Sequence, residues 1–444
     1  MKLWQKLTAT VLTLLAAVSL MMPATAATAM DYKITNPYET VDWDAWEHYR
    51  TQLHAHTLYS DGEMNVTDVV EEYYAQGYDI LAITDHGVVN KGWNVEPQMI
   101  PVIGYNKLIK SKEIFPMSDE RYREITTGAD RNGRPMLDVK LGLEMNALTM
   151  RKNHVNGFFC GWGQNYLGKE EDYETSIAGT EKAGGISVIN HPGDFFAANR
   201  DIARVYDWNN LMVFTDSLLA HPDSCVGVEV FNCDDGPDRY DRIIWDRLLM
   251  YCIPRGRNIF GFSNDDSHYL RHIGLTAEIM LMPELTEAAL RTAMETGTFF
   301  ACSKIARVEL GEEFRGNGNY ANVTRIAVDD ANDVITVTAE NADVIEWVAD
   351  GEVIATGSSI DLREHADEIG TYVRFQIKNE GGMLLSQPFI CDDGNMESHL
   401  IPAPQDTDNP AARIIKKVIA FFRKNLLGEF LYRSFVLEKR VVTF

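Results

Sequence analysis

Residues 53–62 read Leu53-His54-Ala55-His56-Thr57-Leu58-Tyr59-Ser60-Asp61-Gly62. Two histidines one residue apart close an extended segment that begins near Arg50, and Asp61 follows five positions after His56. Side chains on a strand alternate with period two, so His54 and His56 project from one face. Both imidazoles can then reach one metal ion, with Asp61 arriving from the following loop. A half-buried strand carrying two hydrogen-bonded histidines fits the same residues, because H-x-H alone is a short motif. The choice rests on how the other strands of the chain end.

They end in polar clusters. Residues 65–76 have helical spacing, with Thr67 as a cap and Gly77 as the stop. Residues 79–84 read as a buried strand running into Asp85-His86-Gly87. Runs 138–145 and 155–162 are strand-like. A helix-like run, 171–183, leads through Gly184-Gly185 to a strand at 186–189 that ends in Asn190-His191-Pro192. A strand at 226–231, a helix at 238–251 and a strand at 258–262 lead into Ser263-Asn264-Asp265-Asp266-Ser267-His268. A helix at 285–295 and a short strand at 298–302 close the series. This alternation predicts an α/β fold with a mostly parallel sheet. Polar residues at the C-terminal strand ends lie where a closed α/β barrel places its active site.

The flanks differ in texture. The chain has 444 residues, enough for two or three domains. A net charge of -24 disfavours unspecific attraction to nucleic acid or anionic membranes for the body of the protein. Lys2 and Lys6, the apolar run 7–22 and Ala24-Thr25-Ala26 read as an export signal over residues 1–26, so an extracellular or cell-envelope location is expected. An uncleaved anchor is the other reading, though the apolar run is short for a membrane span. The six cysteines form no C-x-x-C pair, which argues against a cysteine zinc site. Export permits disulfides, and buried free thiols suit a core of this size equally. Residues 45–303 hold the strand–helix alternation. Residues 304–392 turn to short strands without helices and predict a small all-β, sandwich-like accessory domain. Residues 393–410 read as a linker. The tail, 411–444, carries eight basic residues against two acidic ones, with apolar residues interspersed. It predicts a helix that either lies on an anionic membrane surface or docks on the acidic body of its own chain.

Of the eleven histidines, His54, His56, His86, His154, His191 and His268 sit at or beside strand ends in Asp-, Glu-, Asn- and Gly-rich contexts. Asp61, Glu144 and Asp266 complete a set of nine candidate ligands. Neutral imidazoles and a few carboxylates suit Zn, Mn or Fe, with too few carboxylates for a calcium cage. Taken in order, His54-x-His56 with Ser60-Asp61-Gly62, Thr84-Asp85-His86, Gly142-Leu143-Glu144, His154, Asn190-His191-Pro192 and Asp266-Ser267-His268 match the motifs of the polymerase and histidinol phosphatase (PHP) superfamily. The chain resembles its stand-alone phosphoesterases over roughly residues 50–302.

The resemblance implies a distorted seven-stranded (β/α) barrel with two to three divalent ions at its C-terminal mouth. It assigns His54, His56, Glu144 and Asp266 to a first ion, and Glu144, as a bridge, with His154 and His191 to a second. Asp61, His86 and His268 would hold a third. Asp266 is preferred to Asp265 because residues two apart on an extended terminus share a face, here with His268. The expected chemistry is hydrolysis of a phosphate mono- or diester of a small molecule by a metal-activated hydroxide, with no nucleic-acid substrate. Asp85 would either fix the ring of His86 or cap its strand. Asn232 and Arg200 are candidate substrate contacts, with Arg204, Arg271 and Lys304 as further cations. The competing reading is a non-catalytic surface protein that keeps metals for structure and binds a partner through its β-domain.

Overall fold

The computed structural model describes residues 31–98, 100–108, 112–148, 152–170 and 172–404. The expected export signal and basic tail lie outside the described residues, as do residues 405–410 of the expected linker. No helix among the described residues is long and apolar enough to cross a membrane.

Two sheets build the region that carries the histidines. In one, Glu47–Gln52, Ile80–Ala82 and Leu137–Val139 run parallel. In the other, Ile186–Ile189, Cys225–Asn232 and Phe260–Asn264 run parallel. Val155–Phe158 lies antiparallel to both of its neighbours, Leu143–Ala147 and Ile186–Ile189. The expected mostly parallel pairing therefore holds for these strands except at Val155–Phe158. The connection 148–154 is far too short for a helical crossover, so the chain can only reverse. The single strand expected over 138–145 is also divided, because Leu141 takes a left-handed conformation (φ 62°) between two shorter strands.

Two isolated parallel bridges tie the sheets together, Ala55 with Ser267 and His86 with Glu144. Ala55, Ser267 and His86 lie just past the C-terminal ends of their strands, and Glu144 lies near the start of Leu143–Ala147. The helices cover the outside for ordinary reasons. Val66–Ala75 buries Val66, Val69, Val70, Tyr73 and Tyr74, the stripe of a core-facing amphipathic helix. Asn65 occupies its cap position, and Thr67, the expected cap, lies inside the helix two residues later.

The β-rich remainder is continuous with this framework. Phe299–Ser303 pairs with Gly382–Leu385, so hydrogen bonding crosses the boundary expected at residue 303. The lead-in also belongs here, since Lys33–Thr35 pairs with Phe389–Asp392. A three-stranded sheet (Asn322–Asp329, Val334–Glu340 and Ser359–Asp361) packs over this extension. Trp347, Phe375, Phe389 and Phe300 fill the core between them. Tyr38 seals the join: its ring stacks on Phe300, and its hydroxyl donates to the Phe299 carbonyl (3.0 Å) while accepting from Gln387 N (2.8 Å). Asp246, on the helix Asp241–Cys252, accepts from both sides of the buried Arg374 guanidinium at 2.7–2.8 Å and from Tyr372. A buried pair of this kind costs several kcal/mol when one partner is removed, so it locks helix to extension. All six cysteines are free, five of them buried.

Candidate metal centre

The two bridges bring the nine predicted residues together: seven line one cavity, and His54 and His56 are buried against it. Ala55, the bridging residue, is flanked by His54 and His56, and its partner Ser267 by Asp266 and His268. His86 and Glu144 are themselves the second bridge. His154 precedes the strand Val155–Phe158, and His191 follows Ile186–Ile189. The cavity measures about 440 Å³.

At its floor, His54 Nε2, His56 Nε2, Glu144 Oε2 and Asp266 Oδ1 converge, and the five separations among them that involve a histidine are 3.1–3.3 Å. A regular tetrahedron of that edge has its centre about 2.0 Å from each corner, the length of zinc–imidazole and zinc–carboxylate bonds. Asp266 Oδ1 is buried beside two imidazoles but lines up with neither for a hydrogen bond. His86 Nδ1, 3.1 Å from Glu144 Oε2, is likewise left without a hydrogen bond. Buried polar atoms left unpaired at such range are costly in a bare protein and natural around a shared cation. The donor set therefore fits divalent ions.

Three groups of donor atoms are each compact enough for one ion: His54 with His56 and Glu144, His86 with Glu144 and His154, and His56 with Asp61, His86 and His268. His191 stands slightly outside them, its Nε2 3.7 Å from Glu144 Oε1. His154 Nδ1 is 2.9 Å from that same oxygen. Asp61, with 43% of its side chain exposed, forms the rim, 3.3 Å from His268 Nε2 and 3.6 Å from His86 Nε2. Glu144 is thus common to two groups, while His56 and His86 each face two.

Surrounding groups set the rings. Glu229 Oε1 accepts from His54 Nδ1 at 2.8 Å, which turns Nε2 inward. Ser60 Oγ donates to Asp85 Oδ1 (2.5 Å) and is left to accept from His56 Nδ1 (3.2 Å). The carbonyl of Asp266 accepts from His268 Nδ1 at 2.8 Å. Asp85 therefore acts on His56 through Ser60, and not on His86 beside it. Its other contacts, from Thr57 N and Oγ1 at 2.7 Å, pin the loop that carries Asp61. Gly62 lets that loop fold back, since a Cβ there would lie 2.7 Å from the His56 and Thr57 backbone.

Asp265 and Asp266 separate cleanly. Asp265 is fully buried and accepts from Gly274 N, Thr276 N and Oγ1, and Tyr73 hydroxyl, away from the cavity. Asp266 turns inward through a left-handed backbone (φ 44°) and not through the extended geometry expected for the D-x-H spacing. His191 is also left-handed (φ 26°), its amide held by Glu229 Oε2 at 2.9 Å. Strained non-glycine residues of this kind gather at functional sites.

Electrostatics follow from the crowding. Burial opposes charge on His56, but Asp266, Glu144 and Asp61 outweigh it and raise its pKa to about 10. Burial lowers that of His86 to about 4, assisted by repulsion from neighbouring imidazoles. Glu144 resists burial through His86, His154 and His54, which hold it well below the usual carboxylate range. In the ion-free chain, protons on the imidazoles supply the positive charge that these carboxylates demand.

Of the candidate substrate contacts, Asn232 lines the cavity, but its amide is occupied by Glu229 Oε2 (3.0 Å) and Asp266 Oδ2 (3.5 Å). Arg200 is exposed, and neither it, Arg204 nor Lys304 lines the cavity. Arg271 does. Glu229 was readable only as the end of a strand, because its role depends on His54, 175 residues away.

Residues 52–213 match the PHP domain family model. No curated protein matches the sequence. Among solved structures, the chain is similar to a two-domain protein from Bacteroides vulgatus containing a predicted PHP-like metal-dependent phosphoesterase. That match has a TM-score of 0.41 and 14% identity, covering 81% of this chain and 90% of the other. A putative metal-dependent phosphoesterase from Bifidobacterium adolescentis matches with a TM-score of 0.30 and 16% identity, over 56% of this chain and 96% of the other. The lesion-specific endonuclease EndoQ from Pyrococcus furiosus matches with a TM-score of 0.32 and 12% identity, over 88% of this chain and 83% of the other.

Proposed function

We propose that this protein is an exported, metal-dependent phosphoesterase acting on small phosphorylated molecules at a centre of up to three divalent ions. The carrying observation is the convergence of His54, His56, Glu144 and Asp266 at 3.1–3.3 Å within a stretch that begins in the PHP domain match. These four would hold the first ion. Glu144, His154 and His191 would hold a second, and Asp61, His86 and His268 a third. Zn, Mn and Fe all suit such ligands.

Divalent ions bound there supply Lewis acidity, which withdraws charge from phosphoryl oxygens and acidifies water. The chain supplies the rest. Among the described residues, six carboxylates and a single arginine line the cavity, so the bare pocket repels phosphate and only a cation-loaded one attracts it. Glu229, Ser60 and the Asp266 carbonyl keep the rings of His54, His56 and His268 from reorienting as charge moves. The acidic walls also favour a compact substrate over a polynucleotide. The basic start, apolar run and Ala24-Thr25-Ala26 support export.

The test is metal analysis of purified protein together with assays on aryl phosphates and phosphodiesters. His54→Ala should lose metal and reduce hydrolysis at least about a thousandfold, as removing a group from a catalytic unit does. An active His54→Ala, or a metal-loaded wild type inert towards every ester, would overturn the assignment in favour of a non-catalytic metal protein.

A further inference from the structure

Arg271 is the only lysine or arginine among the described residues lining the cavity. It lies on the short turn Leu270–His272, three residues past His268. Its guanidinium sits 4.2 Å above the ring of Tyr269, a stacking that holds it without neutralising it. Most described arginines that face carboxylates pair with them: Arg121 with Glu71, Arg242 with Asp235, Arg307 with Asp234, Arg374 with Asp246. Arg271 has no such partner among the described residues, although Asp234 and Asp266 line the same cavity. The turn is also braced internally. His272 N donates to the Tyr269 carbonyl (2.9 Å), Ile273 N to that of Leu270 (3.1 Å), and the rings of Tyr269 and His272 meet edge to face at 5.1 Å.

We propose that Arg271 is the substrate-phosphate residue of this site and makes it selective for phosphate monoesters. The inference rests on the phosphoesterase reading and narrows it. A guanidinium fork recognises an anion through paired terminal oxygens and is strongest when the anion carries full charge. A monoester has three terminal oxygens and is close to dianionic at neutral pH, so two can face the ion cluster while one stays available to the arginine. A diester has two terminal oxygens and one charge. Oriented on the cluster, it leaves none for Arg271, and its second ester group meets a lining that also holds Asp194, Asp234 and Asp238. In a cavity with this charge distribution, one unpaired arginine decides which ester is bound productively.

The discriminating measurement is the ratio of kcat/KM for 4-nitrophenyl phosphate to that for bis(4-nitrophenyl) phosphate, in wild type, Arg271→Ala and Arg271→Lys, with metal content and thermal midpoint verified for each. Arg271→Ala should lower the monoester value ten- to a hundredfold, mostly through KM, and change the diester value less than threefold. Arg271→Lys, which keeps the charge but not the fork, should fall between. Inorganic phosphate, titrated calorimetrically into metal-loaded protein, should bind Arg271→Ala at least tenfold more weakly. An unchanged ratio, or equal losses on both esters, would overturn the proposal and leave the phosphoesterase reading standing. A wild type that hydrolyses neither ester would remove both.

Discussion

The cavity and the β-extension are parts of one hydrogen-bonded framework built to opposite rules. Around the cavity, His86 Nδ1, His154 Nε2 and Asp266 Oδ1 are buried without hydrogen-bond partners, and His191, Cys233 and Asp266 hold left-handed backbones. Between residues 304 and 392, Thr371 Oγ1 is the one such orphan among the described residues, and left-handed positions such as Asp350 sit in hairpin turns. The extension is locally consistent throughout, which makes for stability. The cavity carries desolvated charge and strain that only bound ligands relieve. Activity and stability should therefore respond to different residues.

The sharpest contrast sets His54→Ala against Trp347→Ala. Trp347 is fully buried, meets Phe375 edge to face at 5.6 Å, and donates from Nε1 to the Gly357 carbonyl at 2.9 Å. Its truncation should cost about 3–5 kcal/mol in urea unfolding while leaving kcat per folded molecule within about twofold. His54→Ala should lose at least about a thousandfold in activity per folded molecule, which Trp347→Ala should not. If Trp347→Ala loses activity in proportion to His54→Ala, the division is wrong.

A smaller effect separates positions within the cavity. Asp61→Asn should release one metal equivalent and reduce hydrolysis about ten- to a hundredfold, because Asp61 reaches only the group with His56, His86 and His268. His54→Ala should release a different equivalent. Identical stoichiometries in the two variants would merge the sites that the distances separate.

The smallest effect is a pH slope. Burial pushes the Asp138 carboxyl up to about 7, with Trp93 N as a partial counterweight at 3.1 Å. Its pKa is higher folded than unfolded, so between about pH 4 and 7 the native state binds more protons. Stability should then fall as pH rises through that window. Asp138→Asn should flatten the slope in metal-stripped protein, as measured by urea midpoints at pH 4.5 and 7.5. A slope that survives would assign it to other carboxyls.

Much of this organisation was legible in the sequence because it is local. H-x-H beside a strand end, ligands beside several apolar runs and the stripe of the helix Val66–Ala75 are local signals, and seven of the nine residues marked line one cavity with His54 and His56 buried against it. The misreadings concern long-range pairing. Nothing near Asp85 indicates that its partner is Ser60, and nothing near Phe299 indicates that its strand continues into Gly382–Leu385. Asp266 faces the cavity, but through a left-handed turn that a face-sharing argument does not contain. Chain reversal before Val155 escaped because a buried strand reads alike in either direction.

The two bridges that tie the sheets have a mechanical consequence. Ala55–Ser267 and His86–Glu144 are the only isolated bridges among the described residues, and every residue flanking or forming them, apart from Ala55 and Ser267 themselves, is a candidate ligand or its neighbour. The seam of the framework is thus riveted from inside by whatever charge occupies the cavity. Stripping that charge should loosen the seam before it melts any helix, so the amides of His56 and Gly87, donors to Ser267 and Glu144 across it, should lose hydrogen-exchange protection first. In such a molecule, loading the cavity and closing the framework are one event.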